Sequence, residues 1–294
     1  MDPLSSTPDA DWQQRYQHLL FERREHGVLL VTINRPDSGN AVNPRLHLEL
    51  GQLWRDVDLD DRVAVVVITG AGDAFCSGGE IGTFGGSDNP GSSHIDESMH
   101  EVGALVNGMI DCRKPIISAV NGLAMASGLA VALSADISVV GENVKLNDGH
   151  LRGGMVAGDH AVLLWPLYMS LAKARYYLLT GDTLTGREAE RLGLMSVCVP
   201  DADVLDRAMS IAARIATNAQ YATRWTKRAL NAWVRQQAPL FELSTALQML
   251  SLHGADMQAA LSAITQDRKP EFPSTLSSSI PSQGGTSNVH RERL

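Results

Sequence analysis

The sequence predicts an α/β core followed by a helical C-terminal region. Segments typical of strands alternate with segments typical of helices through the first two hundred residues, which is the pattern of α/β proteins. The near-continuous apolar run at 63–69 (VAVVVIT) is typical of a strand that is covered on both faces. Beyond residue 200 the pattern is mainly helical. We therefore predict a core at 15–200 and a helical region at 201–272.

The individual elements follow from local composition. Residues 27–34 (GVLLVTIN) form a β-branched run between turn residues, which is typical of a strand. Pro44 opens a predicted helix that runs to about Val57. A glycine-rich turn is predicted at 71–80, and a polar loop at 82–96. Further strands are predicted at 63–69, 115–120, 136–140 and 195–199, and further helices at 97–110, within 121–137, at 202–217 and at 221–263.

Composition excludes several classes of function. The net charge is −8 and no stripe of lysine and arginine is present, which argues against nucleic-acid binding. No apolar run approaches the roughly 20 residues of a membrane span, and no signal peptide is evident. Three dispersed cysteines suit a reducing cytoplasm and follow no metal-ligand spacing. The polar stretch 1–14 and the Ser-, Pro- and Gly-rich stretch 273–294 are predicted to be flexible.

The segment 144–160 (VKLNDGHLRGGMVAGDH) carries two histidines, two aspartates and four glycines. His150 and Asp159 stand nine residues apart, which would put them on opposite faces of a continuous helix. A glycine-rich loop that folds back could instead bring the imidazole and the carboxylate together. The carboxylate would then fix the tautomer and leave the other ring nitrogen free to take a proton. Spacing alone leaves open a polar loop whose side chains face water.

Two glycine-containing turns follow predicted strands and precede residues that can start a helix. They are 77–79 (SGG) and 121–128 (NGLAMASG). Backbone N–H groups at a helix N-terminus are unsatisfied donors that suit an oxyanion. Two such donors that converge on one carbonyl oxygen form an oxyanion hole, in which one donor stabilises the transition state by roughly 2.7–4 kcal/mol. Each turn alone is weak evidence, since glycine-rich strand ends are usually structural.

Six motifs, in order along the chain, resemble the crotonase (enoyl-CoA hydratase/isomerase) superfamily. They are INRPDSGNAVN (33–43), AFCSGGEI (74–81), KPIISAVNGLAMASG (114–128), ADI (135–137), LLTGDTLTGREAERLGLMSVCVP (178–200) and DRKPEF (267–272). The resemblance implies a spiral of ββα turns, a C-terminal region that forms a homotrimer or a dimer of trimers, and a small-molecule substrate. It also implies an oxyanion hole made by the N–H groups of Gly79 and Ser127, with no metal or redox cofactor.

The sequence differs from the hydratases of this superfamily at their catalytic positions. The two catalytic glutamates of the hydratases correspond to Ala130 and His150. Because Ala130 has no titratable group, the addition of water across an enoyl double bond by two carboxylates is unsupported. Residues 38–39 (SG) replace basic residues that often recognise CoA, whereas 268–269 (RK) still fit a CoA-type pattern.

The segment 144–160 and its surroundings resemble the β-diketone hydrolases typified by 6-oxocamphor hydrolase, which act without CoA. The resemblance implies that His150, paired with Asp159, activates water for retro-Claisen cleavage of a C–C bond and then returns the proton to carbon. Asp148 is an alternative partner, although residues two apart on a strand face the same way without touching.

Two other functions stay open. One is a divergent enoyl-CoA hydratase or isomerase, with CoA as part of its substrate; the other is a catalytically silent oligomeric module.

Several further residues are interpreted around this site. The pocket is expected to include Val42, His47, Glu80, Ala130 and Trp165. His47 is interpreted as a partly exposed surface histidine, Glu80 as a residue that holds its loop, and Trp165 as packing beneath the site. His160 is expected to cap or pack the helix that follows it. The Met249, Leu252 and Met257 cluster is interpreted as trimer core.

Overall fold

The computed structural model describes residues 11–80 and 92–275. Ten strands lie in this part of the chain: β1 Leu19–Arg23, β2 Val28–Ile33, β3 Val65–Gly70, β4 Ala74–Cys76, β5 Ile116–Val120, β6 Leu123–Met125, β7 Ile137–Gly141, β8 Lys145–Asn147, β9 Leu184–Thr185 and β10 Val197–Val199. The α-helices of this part are α1 Pro44–Leu59, α2 Ser92–Asp111, α3 Ser127–Ser134, α4 Asp159–Tyr168, α5 Leu171–Thr180, α6 Gly186–Leu192, α7 Val204–Ala216, α8 Gln220–Arg235, α9 Ala238–Leu252 and α10 Ala255–Thr265.

The strands form two sheets that the chain visits in turn. The larger has six strands in the order β1-β2-β3-β5-β7-β10, and the smaller has four in the order β4-β6-β8-β9. β3, β5 and β7 enter the larger sheet, and the strand after each of them enters the smaller one. The helices α2, α3 and α4 follow these three pairs. This repeat is the predicted spiral of ββα turns, and the predicted fold class is confirmed.

The larger sheet is apolar on both faces because helices cover both. On one face, Val65, Val67 and Ile117 pack with Ala208 and Ile211 of α7. The alternate residues of the same strands join the main core on the other face. Every residue of β3 is buried, as its near-continuous apolar run predicts. The smaller sheet and the N-termini of α3 and α4 lie on the main-core side.

Several predicted boundaries are wrong. Strand β1 is not predicted from the sequence, and β4 lies in the predicted glycine-rich turn. The predicted helix at 221–263 is three helices, because the chain breaks before Ala238 and at Gly254. Helix α2 begins at Ser92, within the predicted loop at 82–96; residues 82–91 of that loop lie outside the described residues.

The termini are described only in part. Trp12, in the stretch predicted to be flexible, is fully buried, and its Nε1 donates to Asp60 Oδ2 at 2.9 Å. Of the stretches predicted to be flexible, residues 1–10 and 276–294 lie outside the described residues. No helix in the described part of the chain is long and apolar enough to span a membrane.

Candidate active site

Three segments meet at the ends of strands β4, β6 and β8. Gly78 follows β4 with φ +97°, and a Cβ there would lie 3.1 Å from the carbonyl oxygen of Met125. Gly149 follows β8 with φ +79°, and a Cβ there would lie 2.9 Å from Cγ of Met125. Glycine is needed at both positions for the backbone angle and for space. The two glycine turns and the histidine loop therefore converge on one point, the β6–α3 junction.

Two backbone N–H groups, those of Gly79 and Ser127, lie near this junction. The N–H of Val42 donates to Gly78 O at 2.8 Å and the N–H of Glu80 donates to Val42 O at 2.9 Å. Because alternate N–H groups along an extended segment point to opposite sides, the N–H of Gly79 faces away from Val42. Ser127 is the first residue of α3, so its N–H has no partner within the helix. In the described part of the chain, neither of these N–H groups donates a hydrogen bond.

His150 lies between two carboxylates. Its Nδ1 is 3.1 Å from both Oδ1 and Oδ2 of Asp148, and its Nε2 is 3.6 Å from Oδ2 of Asp159. Asp148, the alternative partner, does touch His150 although regular strand geometry argues against it, because the chain leaves β8 at Asn147 and turns at Gly149. Asp148 is therefore the hydrogen-bonded partner, and Asp159 stands at ion-pair distance.

His150, Asp148 and Asp159 are buried, and the pKa values of His150 and Asp159 are both shifted. Burial would lower the pKa of His150, but Asp148 and Asp159 together outweigh it and raise that pKa to about 9. Burial would raise the pKa of Asp159, but His160 and His150 hold it well below its usual range. His150 is thus a strong base in its neutral form, and Asp159 is a permanent anion beside it.

The site opens into a cavity of about 190 Å³. Its walls include Gly79, Ser127 and His150, which argues against the silent module. Polar side chains also line the cavity, among them His47, Glu80, Glu101 and Gln248. The apolar part of the wall is rich in methionine and includes Met125, Met155, Met249, Leu252, Met257, Ala260, Leu261 and Ile264. A cavity with one acid–base histidine, two N–H donors and an apolar wall suits a small carbonyl compound with a hydrocarbon body.

Comparison with known proteins shows the family of this chain. A sequence profile of the enoyl-CoA hydratase/isomerase family matches residues 23–275. The chain belongs to this family. It is 31% identical to a probable enoyl-CoA hydratase of Mycobacterium leprae, over 84% of this chain and 86% of that one.

Solved structures extend the same relationship. An enoyl-CoA hydratase/isomerase from Mycobacterium paratuberculosis has a TM-score of 0.78 and 31% identity, covering 83% of this chain and 97% of that one. A β-diketone hydrolase from the cyanobacterium Anabaena, bound to (S)-3-oxocyclohexyl acetic acid, has a TM-score of 0.76 and 28% identity, covering 83% and 98%. The predicted membership of the crotonase superfamily is confirmed.

Within this enoyl-CoA hydratase/isomerase fold, two of the five expected pocket residues line the cavity. His47 is 5% exposed, so its interpretation as a partly exposed histidine is wrong. Its Nδ1 lies 3.3 Å from Glu101 Oε2, and burial lowers its pKa, although Glu101 and Asp159 oppose the shift. Glu80 also lines the cavity and pairs with Arg35 at 3.3 Å, consistent with a role in holding its loop.

The other three expected pocket residues are buried behind the wall. Val42 contributes its backbone to the Gly79 turn, and its side chain is fully buried. Ala130 lies on the buried face of α3, and Trp165 lies in the main core, as its packing interpretation predicts. None of the three is among the cavity-lining residues that the structure describes.

Three features of the site are not predicted from the sequence. Gln248 of α9 contacts both His150 and Asp159. His160, which packs in α4 as expected, also places Nδ1 2.6 Å from Asp159 Oδ1. The cluster Met249, Leu252 and Met257, which is interpreted as trimer core, lines the cavity. No local signal marks Gln248, because it approaches from 98 residues away in sequence.

Proposed function

We propose that this enzyme hydrolyses a C–C bond of a β-diketone. The observation that carries the proposal is His150, held by Asp148 and Asp159, in one cavity with the N–H groups of Gly79 and Ser127. At the second glutamate position of the hydratases stands Ala130, which cannot exchange a proton. The site therefore combines one strong base with donors for an enolate.

The reaction is a retro-Claisen cleavage. Neutral His150 takes a proton from water, and the hydroxide oxygen bonds to one carbonyl carbon of the diketone. The bond from that carbon to the central carbon then breaks, and its electron pair delocalises onto the second carbonyl oxygen. The N–H groups of Gly79 and Ser127 stabilise this enolate. The imidazolium of His150 returns the proton to the central carbon, so that the products are a carboxylic acid and a ketone.

The cavity wall supports a compact, neutral substrate. A volume of about 190 Å³ with several methionines in the wall accommodates a small cyclic diketone whose ring is hydrocarbon. Methionine adapts its shape to irregular apolar groups, which favours a range of ring sizes. The Anabaena β-diketone hydrolase, with its cyclic keto acid, has a comparable fold.

The test is the conversion of cyclic 1,3-diketones to keto acids, followed by NMR. We expect the full-length protein to form the keto acid and the variants His150→Asn and Asp159→Asn to lose most of the activity. The exposed His253→Asn is the matched control. If both site variants cleave the diketone at the wild-type rate, the mechanism is wrong.

A second candidate is a hydratase or isomerase that acts on a CoA thioester. The names of the relatives favour it, because the M. leprae and M. paratuberculosis proteins are described as enoyl-CoA hydratases or hydratase/isomerases. A thioester enolate would use the same two N–H donors, with His150 as a lone base. Calorimetric binding of acetoacetyl-CoA that weakens in Arg268→Ala and Lys269→Ala would support this candidate over the diketone.

We further propose a cytoplasmic homotrimer or dimer of trimers. The C-terminal helices expose large apolar side chains in this single chain, including Tyr221, Trp225, Trp233 and Leu250. Apolar surface of this kind supports burial between subunits. The three cysteines are free, which suits a reducing compartment. Analytical ultracentrifugation tests the assembly, and a monomer at micromolar concentration would overturn it.

A further inference from the structure

Gln248 reaches the acid–base group from the C-terminal helical region. Its Oε1 accepts a hydrogen bond from the backbone N–H of Asp159 at 2.9 Å. Its Nε2 lies 3.0 Å from Nε2 of His150. The side chain is buried, with 6% of its surface exposed. One amide thus contacts both the histidine and the residue that carries its second carboxylate.

The orientation of the amide follows from the Asp159 N–H. A backbone N–H can only donate, so the Gln248 atom that faces it must be the carbonyl oxygen. The NH2 group of Gln248 then faces His150, and an amide NH2 can only donate as well. Nε2 of His150 must therefore be the acceptor, which places the ring proton on Nδ1, opposite Asp148.

We propose that Gln248 is a positioning residue that holds His150 in the neutral tautomer whose Nε2 accepts a proton. This inference rests on the proposed function, in which His150 is the base. The charged groups that face the ring are Asp148 and Asp159, with the His160 ring 6.3 Å away. The two carboxylates favour the imidazolium, whereas the Gln248 NH2 can bind only the neutral ring. The amide therefore opposes protonation in the resting enzyme.

The chain makes room for this contact at Gly158. A Cβ at that position would lie 2.5 Å from Cβ and 2.6 Å from Oε1 of Gln248. The absence of a side chain lets α9 approach the N-terminus of α4 closely enough for the amide to reach the Asp159 N–H. On catalysis, a water O–H replaces the amide N–H at Nε2 of His150, and Gln248 keeps its bond to Asp159.

The first test is an NMR titration of the histidines in full-length protein labelled with ¹⁵N-histidine, which needs no substrate. The variant Gln248→Leu removes both amide groups at similar volume, and Gln248→Glu adds a third carboxylate. We expect the pKa of His150 to rise in Gln248→Leu and to rise further in Gln248→Glu. Gln248→Met provides a second apolar replacement where Gln248→Leu does not fold. An unchanged or lowered pKa in the apolar variants would overturn the proposal.

The second test is the pH profile of kcat/KM for diketone cleavage. Because neutral His150 is required, each unit by which its pKa rises lowers kcat/KM at pH 7 about tenfold. A merely structural loss lowers activity without moving the acid limb, and that result would contradict the inference. The exposed Gln258→Leu on α10 is the matched control. If wild-type enzyme cleaves no diketone, the proposed function fails, whereas the titration still decides the role of Gln248.

Discussion

Nδ1 of His150 lies 3.1 Å from each carboxylate oxygen of Asp148, two residues earlier in the chain. This contact exists because Gly149 adopts φ +79°, which folds the two side chains onto the same side after β8 ends. It gives the imidazole a fixed proton on Nδ1 and leaves Nε2 directed towards Asp159 and Gln248. The chemistry of the site depends on which ring nitrogen is free to change its protonation.

The pH dependence of catalysis should reflect this contact. Since His150 acts in its neutral form and its pKa is raised to about 9, we expect kcat/KM to rise with pH towards 9. Asp148→Asn removes one anion, so the pKa of His150 falls and the acid limb moves to lower pH. The dependence of kcat/KM on pH, measured between about pH 6 and 10 for the wild-type and Asp148→Asn enzymes, tests this. A limb that stays in place, or activity that declines as pH approaches 9, would show that Asp148 does not tune a base.

The hydroxyl of Ser127 should be dispensable. In the proposed oxyanion hole the backbone N–H is the donor, and Ser127→Ala keeps it at the start of α3. We expect kcat/KM to stay within about threefold, whereas loss of a true oxyanion donor costs about 10²–10³ in kcat. Steady-state kinetics on the diketone distinguish these cases. A loss of a hundredfold would mean that the hydroxyl itself binds the substrate or carries a proton.

Ala126 should carry backbone strain that glycine would relieve. It precedes α3 with φ 45° and ψ −115°, a region that a residue with a Cβ seldom occupies. Strain of this kind costs about 1–3 kcal/mol, and the extra freedom of unfolded glycine offsets about 0.4–1 kcal/mol of the gain. We therefore expect Ala126→Gly to raise the free energy of unfolding by about 1 kcal/mol in urea titrations.

The control for this strain is Ala132→Gly, in the buried interior of the same helix, where glycine is disfavoured. We expect that variant to lower the free energy of unfolding. If both glycine variants are destabilising to the same degree, Ala126 is not strained.

The docking of α8 should depend on one ion pair, in which Lys227 is buried and Asp136 is partly exposed. Nζ of Lys227 lies 2.7 Å from Oδ2 of Asp136 and donates to the carbonyl oxygen of Lys114 at 2.9 Å. Burial raises the pKa of Asp136, while Lys227 opposes that shift. Lys227→Met leaves the partly exposed Asp136 carboxylate without its cation, so we expect a loss of about 1–3 kcal/mol, less than for a fully buried pair. Urea unfolding should show this loss, with the exposed Arg228→Met of the same helix near the wild-type value.

Most of the fold could be predicted because its signals are local. The apolar run of β3, the glycine turns after β4 and β6, and the ordered motifs each occupy a short stretch of chain. The C-terminal helices were predicted as helical but not separated correctly, because Pro239 and Gly254 mark the breaks only once the packing of α9 and α10 is known. The position of His150 could also be predicted, because it stands where a hydratase has a glutamate.

By itself, the sequence determined the family, the ββα spiral and the residues that bring an imidazole and two N–H donors to strand ends. Only the tertiary structure decided that Asp148 is the hydrogen-bonded partner of His150 and that Gln248 contacts the pair. The contact between Asp148 and His150 depends on the positive φ of Gly149, which cannot be predicted from residue spacing on a regular strand. The contact of Gln248 with the pair depends on the docking of α9 against Gly158, where residues 90 positions apart in sequence pack without a gap for a Cβ. Composition and periodicity do not predict that contact, because it arises from how the helices pack and not from any local pattern.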